Sequence, residues 1–184
     1  MKTNIIQLEA GSVIELSFAT VKSGFEKQLF GHYFPEVTPI VLGLGGKPLG
    51  SFSISHSDSI LGNPKMGALF QWPSVGVFNQ LHDNTDFLKL KPVRDEALEF
   101  FSNGHFFLVN EDTQLTIEEA QTYAISTHQS RKVHSADMLN LIAEETSMNS
   151  DYTANNLAIA LWSKHHYSKS INTEVFKCQF NFAE

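Results

Sequence analysis

The stretch from residue 42 to residue 111 decides the fold, because turn residues, apolar runs and helical spacing alternate along it. It opens on the glycine turn Gly45-Gly46 and closes on an apolar run around Phe107. Between them lies the segment Met66-Gly67-Ala68-Leu69-Phe70-Gln71-Trp72-Pro73-Ser74. Because the part before Pro73 is apolar on both faces apart from Gln71, it predicts a strand that is buried on both sides. Ser74 is then placed to cap a helix.

The helix that follows Ser74 is predicted from apolar residues at helical spacing. Asn84-Thr85 and Pro92 are expected to break it, since neither suits an undisturbed helix interior. The apolar stripe consists of Val77, Phe78, Leu81, Phe87, Leu90 and Leu98. Alternating residues predict one strand over residues 48–56 and another over residues 105–109.

Upstream of the glycine turn, the sequence predicts one more strand and the start of a helix. Ile14, Leu16 and Phe18 alternate with polar or small residues, which is the period of a half-buried strand. Ser23 and Glu26 have the spacing of a capping box. A helix is therefore expected to begin at about residue 24.

Two prolines disturb this first helix. Pro35 and Pro39 lack the N–H group that a helix interior needs, so the helix should bend or restart near Tyr33-Phe34. Its end is expected at the glycine-rich residues 43–46. The order from residue 12 to residue 111 is then βαββαβ, which predicts an α+β, ferredoxin-like unit with an antiparallel sheet.

The rest of the chain reads as a degenerate second copy of this unit. Strands are predicted over residues 121–128 and 156–162, a helix over residues 135–148, and a final strand from Val175 onward. The spacing of Ala158 to Trp162 repeats that of Ala68 to Trp72. The predicted domains are residues 1–111 and residues 112–184, the second packing on the first.

Composition excludes several classes of protein. A formal net charge of −7 without a cluster of basic residues argues against a nucleic-acid partner. No run approaches the roughly 20 apolar residues of a membrane span, and the N-terminus lacks a signal-peptide core. The single Cys178 excludes an internal disulfide and is interpreted as a small buried hydrophobe. We therefore expect a soluble, cytoplasmic protein.

Residues 12–111 resemble the dimeric α/β-barrel superfamily, in particular small uncharacterised bacterial members related to antibiotic-biosynthesis-type monooxygenases and stress-responsive barrel proteins. The resemblance is carried by Gly45-Gly46, Trp72-Pro73-Ser74, Phe87 and Arg94. It implies a sheet with helices on one face and pairing of two such sheets. These motifs mark the fold more than a reaction, because the glycines set turns and the apolar residues build the sheet.

A sheet that carries helices on one face must cover its other face. An exposed apolar face of several hundred Å² is a liability for a soluble protein, and covering it stabilises the fold at about 25 cal/mol per Å². The extra length of this chain predicts that its second half supplies the cover, so that one chain forms a pseudo-dimer. A homodimer is the alternative.

Histidines are the first candidates for chemistry. His32, His56 and His105 are the catalytic candidates, because a neutral imidazole can move a proton near pH 7. The resemblance also implies that the first helix, which carries His32, faces a substrate. A histidine hydrogen-bonded to the backbone is the alternative for each of the three. Spacings typical of metal sites are absent from the sequence, and no metal or cofactor is expected.

A ligand-binding cavity is predicted between the two sheets. Arg94 could anchor a carboxylate by a bidentate contact, with a surface ion pair as the alternative. Trp72 could line the cavity or stabilise the core. The predicted ligand-binding residues are Phe52, Ile54, Phe70, Trp72, Arg94 and Phe107.

Two functional classes follow from this pattern. The first is a small-molecule-binding or assembly module, which the mostly apolar positions inside the predicted cavity favour. The second is a cofactor-independent monooxygenase or isomerase that acts on a small apolar or aromatic substrate. In that case a histidine would serve as the base, and Arg94 or Trp72 would orient the ligand.

Overall fold

The protein is a mixed α+β structure in which a few helices pack against mostly antiparallel strands. The structure, a computed structural model, describes residues 2–58, 63–102, 106–119, 121–129, 138–145, 157–163 and 172–181. The strands are β1 (Thr3–Leu8), β2 (Val13–Val21), β3 (Lys47–Asp58), β4 (Met66–Trp72), β5 (Leu98–Ser102), β6 (Phe106–Leu108), β7 (Thr113–Glu118), β8 (Thr122–Gln129), β9 (Met138–Glu145), β10 (Leu157–Ser163) and β11 (Asn172–Asn181). The helices are α1 (Glu26–Gln28), a π-helical turn (Leu29–Tyr33), α2 (Phe34–Gly43), α3 (Val75–Asp83) and α4 (Thr85–Ala97).

The main sheet of the described residues closes on itself. Its strand order is β4-β3-β11-β8-β10-β9-β6-β2-β5, and β4 also pairs with β2. This last pairing joins eight strands into a ring. β5 lies outside the ring, because it pairs with the end of β2 that β6 leaves uncovered. β1 and β7 form a separate two-stranded sheet, and this pair crosses the predicted boundary at residue 111.

Side chains on the two faces of this sheet form two separate cores. The interior cluster faces the inside of the ring and includes residues from both halves of the chain and from the β1–β7 pair. It consists of Ile6, Leu8, Ile14, Leu16, Phe18, Phe52, Ile54, Leu69, Phe107, Val109, Leu115, Ile117, Tyr123, Ile125, Phe176, Cys178 and Phe180. The second half thus covers the face that the helices leave bare.

The outer cluster lies between the sheet and the helices. It consists of Val13, Leu29, Tyr33, Val37, Val41, Trp72, Phe78, Leu81, Phe87, Ala97, Leu98 and Phe106. Alternation along β2 and β4 separates the two clusters, since neighbouring residues of a strand point to opposite faces.

The first helical segment restarts where the sequence predicts, near Tyr33-Phe34. The π-helical turn Leu29–Tyr33 ends as α2 begins, and the Phe34 N–H bonds the Leu29 carbonyl five residues back. α2 ends at Gly43, and Gly45 follows with a φ of +81°, the left-handed conformation that glycine tolerates. The predicted cap at Ser23 is wrong: the helix has Phe25 at its N-cap position, while Glu26 accepts from the Gly24 N–H at 2.9 Å.

Side-chain caps define the second helical segment. The Val77 N–H donates to Ser74 Oγ at 3.2 Å, as the sequence predicts. Asn84 Oδ1 accepts from the Asp86 and Phe87 N–H groups, each at 3.0 Å, and so separates α3 from α4. The break predicted at Pro92 is wrong, because α4 continues through that residue to Ala97. Leu98 belongs to β5 rather than to the helical stripe.

The second half contains the predicted strands but not the predicted helix. β8, β10 and β11 correspond to the strands expected over residues 121–128, over residues 156–162 and from Val175 onward. The helix prediction for residues 135–148 is wrong, since residues 138–145 form β9 and pair with β10 and β6. An apolar run of this kind is compatible with either structure, and long-range pairing decides it. Residues 135–137 and 146–148 lie outside the described residues.

Candidate functional site

A cavity of about 580 Å³ lies between the outer face of β2 and β4 and the helices. Most of its lining is apolar, with aromatic and aliphatic side chains from the π-helical turn, α2, α3, α4 and the two strands. Its polar side chains include Glu15, Ser17, Tyr33, His82 and Arg94. An apolar cavity with a few polar groups is the usual form of a small-molecule site.

Strand alternation brings the polar residues of β2 into this cavity. Ile14, Leu16 and Phe18 belong to the interior cluster, so the intervening Glu15 and Ser17 face the helices. Both are buried, although their pattern in the sequence is that of a solvent-facing edge. The covering helices therefore convert the polar face of this strand into the floor of a cavity.

A glycine contact fixes the indole of Trp72 over that floor. A Cβ atom added at Gly46 would lie 2.7 Å from Trp72 Cζ3 and 2.8 Å from Val41 Cγ1. Only glycine leaves room for this packing. The turn that marks the end of α2 in the sequence thus also positions a side chain of the site.

Glu15 is the most unusual group of the site. Only 7% of the residue is exposed, and its Oε2 accepts a hydrogen bond from Trp72 Nε1 at 2.9 Å. Burial raises the pKa of the Glu15 carboxyl from 4.5 to about 7, against the opposing effects of the Trp72 hydrogen bond and the Arg94 charge. The group can therefore gain or lose a proton near neutral pH.

Arg94 is a buried cation above the same cavity. Its Nε and Nη2 donate to Asp95 Oδ1 at 2.9 and 2.7 Å, and its guanidinium carbon lies 4.4 Å from the centre of the Phe101 ring. Asp95 is half exposed, so the pair connects the cavity to the surface. This pairing fixes the guanidinium in place and partly neutralises it.

Tyr33 enters the cavity from the π-helical turn. Burial raises the pKa of its hydroxyl, and the charge and hydrogen bond of Arg94 oppose that rise. The charge of Glu15 also acts on this hydroxyl, so the three side chains form one electrostatic group. We call Glu15, Tyr33 and Arg94 the polar centre.

His82 lines the cavity from α3. Its ring lies 5.0 Å from the Phe78 ring and 5.4 Å from the Phe87 ring, both in edge-on geometry. Burial lowers the pKa of His82, and the charges of Lys91 and Arg94 lower it further. The imidazole is therefore favoured in its neutral form.

The ligand-binding residues predicted from the sequence fall into two groups. Phe70, Trp72 and Arg94 line the cavity together. Phe52, Ile54 and Phe107 lie in the interior cluster, on the opposite face of the sheet.

The three histidine candidates do not meet at the site. His32 and His56 are exposed and do not belong to the lining of the cavity. His105 lies outside the described residues. Sequence reasoning missed Glu15, Tyr33 and His82. A signal existed for His82, because it lies four residues after Phe78 on the apolar face of α3.

The remaining features of the described residues concern metal binding, the single cysteine and membrane spans. Within these residues there is no group of three or more His, Cys, Asp or Glu side chains that could hold a metal ion. Burial raises the pKa of Cys178 to about 12, so this thiol stays protonated, in accord with its predicted role as a buried hydrophobe. The helices in the described ranges include none that could span a membrane.

Comparisons of this chain with models of known protein families, with curated proteins and with solved structures gave no match.

Proposed function

We propose that the protein binds a small, mainly apolar molecule that carries a hydrogen-bonding oxygen, in the cavity between the helices and the sheet. The observation that carries this proposal is the presence of the polar centre in a mostly apolar cavity of about 580 Å³. The apolar walls would take up an aromatic or alicyclic body, and the polar centre would orient its oxygen. In this proposal the ligand lies on the helix side of the sheet, whereas the sequence predicts a site between two sheets.

Burial at the polar centre supports a ligand-binding role. Glu15, Tyr33 and Arg94 are each less than a tenth exposed. Burial of polar groups lowers stability unless they are hydrogen-bonded. A core that served only for packing would therefore be more stable if it consisted of apolar side chains. The exposed Phe30 ring and the adjacent Phe34 ring, which stack 5.7 Å apart, add an apolar rim to the cavity.

Calorimetric titration of the full chain with 2-naphthol, 2-naphthoate and 1,4-naphthoquinone tests this proposal. We expect saturable one-to-one binding of at least one probe, together with a higher melting temperature. Ala68 lines the cavity, so Ala68→Phe should abolish binding by filling it. Leu88→Phe is the matched control, because Leu88 is 47% exposed and outside the lining.

The two variants distinguish binding in the cavity from binding elsewhere on the protein. Binding that is lost in Ala68→Phe and kept in Leu88→Phe supports the proposal. Failure of all three probes to bind, or equal binding by the two variants, would overturn it.

A cofactor-independent enzyme, whether isomerase or monooxygenase, is the second candidate, and Glu15 favours it. A carboxyl with a pKa of about 7 inside an apolar cavity is suited to general acid–base catalysis at neutral pH. In this candidate the base is Glu15 rather than one of the three histidines.

We further propose that the chain is a tandem pair of ferredoxin-like units that resembles a dimeric α/β-barrel protein within one polypeptide. The strand order of the described residues supports this. The order β6-β2-β4-β3 in the first half and β11-β8-β10-β9 in the second both read fourth, first, third, second strand of a unit. The pairings β6–β9 and β3–β11 join the two units edge to edge.

A further inference from the structure

Among the described residues, none donates a hydrogen bond to the second oxygen of the Glu15 carboxyl. Trp72 Nε1 bonds Oε2, and within the described ranges no other hydrogen bond to this carboxyl is present. A buried carboxyl oxygen without a partner is unusual, because buried polar atoms are nearly always hydrogen-bonded. Since Glu15 lines the cavity, Oε1 is available to a bound molecule.

Tyr33 supplies the complementary donor. The guanidinium of Arg94, whose charge acts on the Tyr33 hydroxyl, has only N–H donors and cannot accept a hydrogen bond from it. The hydroxyl hydrogen of Tyr33 is then left to donate to another group. The cation beside it makes this O–H a stronger donor, and Tyr33 lines the same cavity as Glu15.

On the basis of the binding function proposed above, we propose that the cavity catalyses proton transfer on a small apolar ketone, with Glu15 as the base and Tyr33 as the donor to the carbonyl oxygen. Glu15 Oε1 takes a proton from the carbon next to the carbonyl, and the electrons of that C–H bond form a C=C bond. The carbonyl π electrons move to oxygen, and Tyr33 stabilises the resulting enolate. Return of the proton to the same carbon, or to a conjugated one, completes a tautomerisation or double-bond shift.

This reaction balances without any further reagent. No electrons leave the substrate, and Glu15 returns one proton for each proton that it removes. In heavy water the proton on the Glu15 carboxyl is replaced by deuterium before that return, which labels the carbon. An apolar cavity also suits a neutral ketone, because the developing oxyanion meets fixed donors in a site of low dielectric. The buried cation Arg94 stabilises that charge through Tyr33.

Several groups set the protonation state of Glu15. Trp72 on β4 and Arg94 on α4 favour the carboxylate, whereas burial favours the acid. Among the described residues, Tyr33 on the π-helical turn, His82 on α3 and Asp95 beside Arg94 are further ionisable groups at or near the cavity. The exchange rate is expected to rise with pH and level off above pH 7, as Glu15 loses its proton.

Hydrogen–deuterium exchange of 2-tetralone in heavy water, followed by proton NMR with the full chain, tests the inference. Catalysis should speed the loss of the signals next to the carbonyl at least tenfold over buffer. Glu15→Gln keeps the shape and an acceptor for Trp72 but removes the base, so the catalysed rate should fall about 100-fold or more. Tyr33→Phe should lower it at least tenfold by removing the donor.

Glu36→Gln is the matched control, because Glu36 is an exposed carboxylate on α2 outside the lining of the cavity. It should exchange 2-tetralone at the wild-type rate. Melting curves establish that each variant is folded, and inhibition by 2-naphthol, which resembles the enol of the probe, places the reaction in the cavity.

The outcomes distinguish failure of this inference from failure of the proposed binding function. Binding of 2-naphthol with no exchange above buffer, or equal exchange by Glu15→Gln and wild type, would overturn the inference and leave the binding function intact. Absence of both binding and exchange would overturn the two together.

Discussion

The two faces of β2 differ in what covers them. On the inner face, Ile14, Leu16 and Phe18 meet side chains from the second half of the chain, and Phe18 stacks on Phe176 with ring centres 4.1 Å apart. On the outer face, Glu15 and Ser17 border a cavity of about 580 Å³. One strand thus contributes to a filled apolar core and to a partly polar cavity.

This contrast teaches that stability and proposed function are divided between the faces of one sheet. The inner face is made of large apolar side chains that fill space efficiently. The outer face keeps a buried carboxyl, a buried guanidinium and unfilled volume, all of which lower stability. Changes on the inner face should therefore affect folding, and changes on the outer face should affect binding and pH dependence.

Removal of the second half of the chain, which covers the inner face, tests this contrast most severely. A chain of residues 1–111 lacks β7 to β11 and leaves Phe18, Phe52 and Phe107 without their partners from the second half. We expect this fragment to aggregate or dimerise, as measured by size-exclusion chromatography with light scattering. A soluble monomer with cooperative unfolding would show that the inner face needs no cover and would count against the tandem arrangement.

Phe52→Ala should have the next largest effect. Phe52 is 1% exposed and contacts the rings of Phe18 and Phe180, at 6.3 and 5.4 Å between centres. The substitution should lower the free energy of unfolding by about 3–5 kcal/mol, as measured by urea titration. The exposed Leu42→Ala provides the control, with an expected change below about 0.5 kcal/mol.

The same Phe52→Ala protein also tests where a ligand binds. Because Phe52 lies on the inner face, the folded variant should bind 2-naphthol with wild-type affinity. A large loss of affinity without loss of fold would move the binding site to the inside of the ring, where the sequence first placed it.

Glu15→Gln should change how stability depends on pH. The pKa of Glu15 is 4.5 in the unfolded reference and about 7 in the folded protein. Between these values the folded state holds more protons, so stability falls as pH rises and is lowest above pH 7. The shift corresponds to about 3 kcal/mol.

Urea unfolding at pH 5 and pH 8 measures this effect. We expect Glu15→Gln to resemble wild type at pH 5 and to be more stable at pH 8, by up to about 3 kcal/mol, since the amide oxygen can still accept from Trp72. Glu36→Gln should follow the wild-type pH dependence. If Glu15→Gln also follows the wild-type pH dependence, burial does not raise the pKa of the Glu15 carboxyl.

Half of the candidate site could be predicted from the sequence. Phe70 and Trp72 follow from a strand that is apolar on both faces, and Arg94 follows from its position as a possible carboxylate anchor on a helix. Glu15 could not be predicted, because polar residues that alternate along a strand usually face solvent. The side chain of Tyr33 enters the cavity from a π-helical turn, a local widening of the helix that helical spacing does not reveal.

The sequence by itself determined several local elements of the first half: the alternation of β2, the buried strand β4, the cap at Ser74, the helix break at Asn84, and the end of α2 at its glycines. These follow from interactions within a few residues of one another. Only the tertiary structure decided that residues 138–145 form a strand, that β1 pairs with β7, and that Glu15 is buried. The physical reason is that strand pairing and burial depend on residues distant in the chain, whose contribution no local pattern records.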